Sequence, residues 1–164
     1  MKRRVFVAAF AAAMLSACGF QLRGANGSGA IPFKTIYLGV NENSPLGVEL
    51  RRNLLARDAK IVTNPKAAEA IVDVLSESRD KSTPILNAQG RIRVYPLIYR
   101  LRFRVATPGG KELIAPTEIS LKRDISYNES QAIAKEKEED MLYRDMQSDS
   151  VQQILRRLAA LGSA

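Results

Sequence analysis

Histidine and tryptophan are absent from the 164-residue chain, and cysteine occurs once, at Cys18. Without imidazole the chain can build neither a histidine-dependent catalytic triad nor a histidine metal site, and a lone thiol cannot close an internal disulfide. Most familiar hydrolase chemistry is excluded on that ground. No G-x-x-x-x-G-K-[ST] or G-x-G-x-x-G element follows any strand candidate, so the phosphate-cradling loops of nucleotide-binding domains are missing too. Charge of one sign is also missing locally: between Lys81 and Lys111 there are seven basic residues and no acidic one.

The apolar run from Val5 to Leu15, preceded by Lys2, Arg3 and Arg4, is laid out like a secretory signal peptide and is too short to span a bilayer. It ends in Leu15-Ser16-Ala17-Cys18-Gly19, which resembles a bacterial lipobox. On that reading residues 1–17 are a lipoprotein signal peptide and Cys18 is the first mature residue, its thiol being the nucleophile that takes a diacylglycerol. Several acyl chains would then anchor the chain stably where one would not. The bland alternative is a lone thiol in an ordinary leader. In the lipoprotein sorting pattern an aspartate after the cysteine commonly retains a protein in the inner membrane; Gly19 at that position points to the outer membrane, on its periplasmic side. Three of the 25 basic residues fall in the leader, leaving 22 against 17 acids, a modest balance of +5.

Residues 18–32, rich in Gly, Ala, Ser and Asn, read as a flexible tether, and 33–164 as one domain. Phe33 to Val40 is the first strand candidate. A helix follows, with Ser44 as N-cap, Pro45 at its first position and Leu46, Leu50 and Leu54 on one face, while Arg51, Arg52 and Arg57 point largely away. The leucine stripe suits a core face or a partner groove. After the short apolar Ile61-Val62 and the turn-like Asn64-Pro65, Ala70 to Leu75 reads as a strand that frays beyond Ser78. Lys81 to Gly90 reads as a polar connection.

The next strand carries the clearest alternation: Tyr99, Leu101, Phe103 and Val105 against Arg100, Arg102 and Arg104. Before Pro96 the phase inverts, Ile92 and Val94 being even-numbered and Arg91 and Arg93 odd. A β-bulge or edge break at Pro96 would bring all five arginines to one side. Pro108-Gly109-Gly110 is a turn, and Ile114 to Tyr127 returns with Ile119, Leu121 and Ile125 inward and Lys122 on the arginine face. Such a face can bind an anion, or it can be a solvated surface whose arginines pair with Glu118 or the last helix.

That helix starts from a cap near Asn128 or Ser130 and runs to about Leu161. Its apolar stripe is Met141/Leu142, Met146, Val151, Ile154/Leu155, Leu158 and Leu161. The charged Lys135 to Asp140 suggests first turns that project beyond the sheet. Glu136, Glu138, Glu139 and Asp140 invite a reading as catalytic or cation-binding carboxylates, but a Lys135/Glu139 pair at i,i+4 fits an ordinary solvated helix face better.

The lipobox, Gly19-Phe20-Gln21-Leu22-Arg23-Gly24, the hairpin and the helix start Ala132-Ile133-Ala134-Lys135 running into Glu139-Asp140-Met141 together resemble the LptE family of outer-membrane lipopolysaccharide (LPS) assembly lipoproteins, over essentially the whole mature chain. The resemblance implies an α+β two-layer sandwich, a mixed four-stranded sheet with two helices packed on one face in the order β-α-β-β-β-α, which agrees with the element order read from the residues. It also implies a non-enzymatic role without cofactor or metal: a plug inside the β-barrel partner LptD that assists its assembly and binds LPS. Of two regions proposed to contact LPS in the family, the helix lysine matches Lys135. The basic loop residue has no match in Leu86-Asn87-Ala88-Gln89-Gly90, where Arg91 and Arg93 follow directly and can substitute. Outside the resemblance, a free-standing periplasmic lipoprotein binding another anionic polymer such as peptidoglycan remains open, as does an enzyme built on the acidic run.

Overall fold

The computed structural model describes residues 30–127 and 132–162. Cys18, Gly19 and the cap candidates Asn128 and Ser130 lie outside the described residues.

Strand β1 (Thr35–Gly39) alternates, burying Ile36 and Leu38. Helix α1 (Pro45–Leu55) begins as expected: Ser44 Oγ accepts from the Gly47 amide at 3.0 Å and donates to the Asn41 carbonyl at 2.7 Å. Pro45 takes the first helical position, where no amide hydrogen is needed. Gly47 is required by space, since a Cβ there would stand 2.3 Å from the Asn41 carbonyl oxygen. Leu46, Leu50 and Leu54 are fully buried, so the stripe is core; full burial of each contributes about 1.5–3 kcal/mol. Arg57 does not point away. It donates to the Asn53 carbonyl and reaches Gln152 of the last helix.

After α1 the chain turns through Asp58, whose φ of 62° is one that a short polar side chain tolerates. It then forms β2 (Lys60–Ile61), a single 3₁₀ turn at Pro65–Ala67, and β3 (Ala70–Lys81). Strand β1 lies between β2 and β3, parallel to both. Strand β5 (Ile92–Ala106) runs antiparallel to β3 and, along its other edge, to β6 (Glu112–Ser126). The two-residue β4 (Ile85–Leu86) borders β5 beyond the end of β3. Helix α2 (Ala132–Ala160) packs on the same face as α1. The expected fold class is present, but the described residues hold six strands rather than four. Strands β2 and β4 are too short to show a period and exist only through their partners. Among the described residues no helix is long and apolar enough to cross a membrane.

Two register features decide which side chains meet. The first is a bulge at Leu75, between Val74 opposite Phe103 and Ser76 opposite Arg102. Ahead of it Ala70 and Val72 are buried in the core; beyond it the positions opposite Leu101, Tyr99 and Leu97 are Glu77, Arg79 and Lys81. Strand β3 therefore runs on past Ser78 to Lys81, with polar residues on its helix side. The second feature corrects the expectation at Pro96. Pairing of β5 with β6 is regular from Val94 to Phe103, so the strand does not rotate there. Tyr95, Leu97, Tyr99, Leu101 and Phe103 share the helix face, while Arg100, Arg102 and Arg104 lie on the other. The irregularity falls at Arg93, between the partners of Ile85 and Leu86. The rotation of the strand therefore falls at Arg93 rather than at Pro96.

The core joins Ile36, Leu38, Val72, Leu97, Tyr99, Leu101, Phe103 and Val105 to the α1 leucines and to Met146, Val151, Ile154, Leu155 and Leu158 of α2. Ile119 and Ile125 are buried and Leu121 packs beside them. Met141, expected in the stripe, is 59% exposed. Ile31 and Phe33 also pack against the core.

Candidate functional site

Lys135 does not project. Its side chain is 18% exposed, pairs with Glu138 at 2.7 Å and donates to Ser126 Oγ at 2.8 Å. The helix pair is thus i,i+3, because Glu139 is taken by Lys81 of β3. The Lys81 ammonium also lies 5.2 Å from the centroid of the Tyr95 ring, within cation–π range. Tyr95 in turn meets Tyr127 edge-on at 5.5 Å between centroids. These groups, together with Glu136 and Asp140, line a 440 Å³ cavity at the end of the sheet under the first turns of α2. Sequence reasoning found Lys135 but missed Lys81, Tyr95 and Tyr127 as its neighbours. The signal was faint: two tyrosines thirty-two residues apart, aligned only by the register of β5 against β6.

Arg91 and Arg93 reach the same end of the sheet. The Tyr127 amide donates to the Arg93 carbonyl, and Val94 is paired with Ser126, the residue that Lys135 grips. Arg91 is held by Asn87, whose Oδ1 accepts from the Gln89 and Arg91 amides and whose own amide donates to the Arg91 carbonyl. The connection before β5 is therefore a built turn. Neither guanidinium forms an ion pair among the described residues. Lys135 and the backbones of the two arginines thus lie at one end of the sheet, the lysine already paired and the arginines without an ion pair among the described residues.

Arg100, Arg102, Arg104 and Lys122 share the face that no helix covers. That face is laced by its own acids: Arg100 pairs with Asp80 at 2.7 Å and Arg104 with Asp73 at 2.9 Å. Arg102 stands opposite Glu118 in the ladder, and Lys122 lies 3.9 Å from Asp124. The basic excess between Lys81 and Lys111 is therefore answered from β3 and β6.

Between sheet and helices, the bulge creates a polar seam. Arg79 donates to Gln147 at 3.2 Å and lies over the Tyr143 ring, and Gln147 donates to Glu49 of α1 at 3.0 Å. Tyr99 donates to Glu77 at 2.9 Å and Tyr143 to the Asp80 carbonyl at 2.9 Å. Burial, reinforced by Glu77, raises the Tyr99 phenol far above its ordinary pKa. Burial followed by Glu139 and Asp80 raises Tyr143. Both phenols stay protonated donors, a fastening role. Of the acidic run in α2, Glu138 and Glu139 are engaged by lysines, and the described residues contain no group of three or more potential metal ligands.

Comparison with known proteins places this arrangement. A family model described as "LptE: Lipopolysaccharide-assembly" matches residues 33–158. A solution structure of an uncharacterized lipoprotein B from Nitrosomonas europaea superposes with a TM-score of 0.75 at 37% identity, over 89% of this chain and 94% of that one. The crystal structure of a rare lipoprotein B from Shewanella oneidensis gives 0.69 at 27% identity, over 79% and 96%. A protein named LPS-assembly lipoprotein LptE from Pectobacterium atrosepticum is 28% identical over 100% of this chain and 90% of its own length. With the family match extending from before β1 to the last turn of α2, the chain belongs to the LptE family of lipopolysaccharide-assembly proteins.

Proposed function

We propose that the protein is a non-enzymatic subunit of the outer-membrane LPS translocon, anchored at the periplasmic side through lipid on Cys18, which plugs the LptD β-barrel, assists its assembly and binds LPS at the tip formed by Arg91, Arg93 and Lys135. The observation that supports this reading is the placement, beside a fastened lysine at one end of the sheet, of two arginines that have no ion pair among the described residues. Guanidinium groups suit bidentate contact with the phosphates and carboxylates of LPS. The plug role draws support from the uncovered face of the sheet. A body seated in a polar barrel lumen needs charge-laced rather than apolar outer surface, and the Asp73, Asp80, Glu118, Arg100, Arg102 and Arg104 ladder supplies it. The domain layout follows the same reading, with residues 1–17 removed and 18–32 linking the lipid to the folded body.

Affinity purification from gently extracted membranes tests the partnership: a stably co-purifying β-barrel is expected, and a lone lipoprotein would refute it. For the ligand site, Arg91→Asp with Arg93→Asp is expected to weaken LPS binding while thermal stability and barrel association persist. Wild-type LPS binding by that variant would remove the tip from the proposal. Loss of binding only on neutralising Arg100, Arg102 and Arg104 would move the site to the open face.

A further inference from the structure

At the end away from Lys135 the sheet finishes in a row that sets Lys60 beside Thr35, Ile36 beside Ala70, Ile71 beside Ala106 and Ala106 beside Glu112. With four rungs at roughly 4.8 Å each, this edge is about 19 Å wide. Helix α2 finishes here too: a Cβ on Gly162 would stand 3.0 Å from Pro32, and Ile31 and Phe33 on either side of that proline pack against the core. The chain thus enters the folded body from the tether at this end, roughly 40 Å along α2 from Lys135.

The basic excess of the chain sits at the same end. From Cys18 onward there are 22 basic and 17 acidic residues; segments 18–36, 56–71, 106–112 and 151–164, which make up the tether and this end, hold eight and three of them, leaving fourteen against fourteen elsewhere. The whole balance of +5 is therefore local. Lys34, Lys60, Lys66, Lys111 and Arg156 are exposed, and none of them forms an ion pair among the described residues. Of the three acids, Glu69 already accepts from the Lys34 amide at 2.6 Å. On the open face, by contrast, Arg100 and Arg104 each hold an acid of their own.

We propose that this end is a docking surface for a bilayer bearing anionic headgroups, the same bilayer that holds the lipid on Cys18. The inference rests on the lipidation proposed above and adds an electrostatic attachment to it, since an acyl anchor and a basic patch reinforce one another. The twelve-residue step from Cys18 to Ala30 spans at most ~40 Å, so the anchor keeps this end near the headgroups. Surface charge is felt over only about 8–10 Å, so a body docked this way leaves Arg91 and Arg93 clear of the membrane. Cations spread along a wide edge suit a plane of headgroups. A soluble polyanion would gain nothing from the tether.

The test adds the lipidated protein, purified from membranes, to preformed vesicles of phosphatidylcholine alone or of phosphatidylcholine and phosphatidylglycerol in equal parts. Acylation of lysines by a water-soluble reagent is then followed residue by residue by mass spectrometry. Lys34, Lys60, Lys66 and Lys111 are expected to react about fivefold more slowly on the phosphatidylglycerol vesicles, whose negative potential keeps nearby ammonium groups protonated. Lys122 on the open face and Lys137 on α2, both exposed, are expected to react alike on the two. Molar salt should abolish the difference. Equal rates for the four lysines on both vesicles overturn the inference, and so does a slowing that Lys122 and Lys137 share or that survives molar salt. Lys60→Glu with Lys66→Glu and Lys111→Glu is expected to remove the slowing at Lys34 at an unaltered melting temperature; a slowing that persists there also overturns it. Retention on phosphatidylcholine alone reports the anchor. A protein that washes off those vesicles refutes the Cys18 reading and this inference with it, whereas a retained protein with equal rates refutes the docking surface alone.

Discussion

The ammonium of Lys135, three residues into α2, is 2.8 Å from Ser126 Oγ at the last position of β6. The start of the long helix is thereby fastened to the end of the sheet by a charged hydrogen bond rather than by apolar contact. The residue proposed above to contact LPS is therefore also a structural clasp.

Lys135→Met keeps the bulk and removes the charge. It is expected to cost about 1–2 kcal/mol, visible as a fall in melting temperature of roughly 4 °C. Amide exchange should quicken in residues 133–142 and stay unchanged around Ile154 and Leu158. Uniform quickening along α2 would show that the clasp does not act locally.

Tyr99 gives a pH signature at the alkaline end. A tyrosine in the unfolded chain ionises near ~10, whereas the folded state holds the Tyr99 proton to higher pH through burial and Glu77. Above pH ~10 the native state thus binds more protons than the unfolded state, so stability falls as pH rises. Below that pH the contribution is fully present. Tyr99→Phe is expected to flatten the alkaline decline measured by urea unfolding, by at most about 1.4 kcal/mol per pH unit. An unaltered slope would contradict the assignment.

On the open face, Arg100–Asp80 and Arg104–Asp73 are half-exposed pairs. Each is expected to contribute under about 1 kcal/mol. Arg100→Gln with Arg104→Gln should leave the isolated chain within ~2 kcal/mol of wild type by chemical denaturation. A larger loss would contradict the weak contribution expected of half-exposed pairs.

Gly47→Ala is expected to be among the most damaging single changes in α1, because the Asn41 carbonyl occupies the space a Cβ needs. Ser44→Ala, which removes only the cap, should cost about 1 kcal/mol. Equal melting temperatures for the two variants would contradict the steric argument.

For Cys18, mass spectrometry of the mature N-terminus should find a lipid-modified cysteine, and Cys18→Ser should block that processing. An unmodified residue 18 or a mature start elsewhere would rule it out.

Local chemistry was sufficient to read α1, since Ser44, Pro45 and the Leu46-Leu50-Leu54 spacing obey rules that act within one helical turn. It was sufficient also for the core half of β5, where Tyr99, Leu101, Phe103 and Val105 alternate with arginines across one pleat. It failed at Pro96, because a phase change in hydrophobicity marks either a bulge or an open face that tolerates apolar groups. Val94 and Ile98, half-buried on that face, proved to be the second kind. What only the tertiary structure decided is held by pairing. The bulge at Leu75 turns Glu77, Arg79 and Lys81 toward the helices, and the regular β5–β6 register brings Tyr95, Tyr127 and Ser126 beneath Lys135. The physical reason is the same in each case: a strand's own sequence specifies which side chains alternate, but the neighbouring strand, far away in the chain, specifies where the alternation slips and so which residues meet.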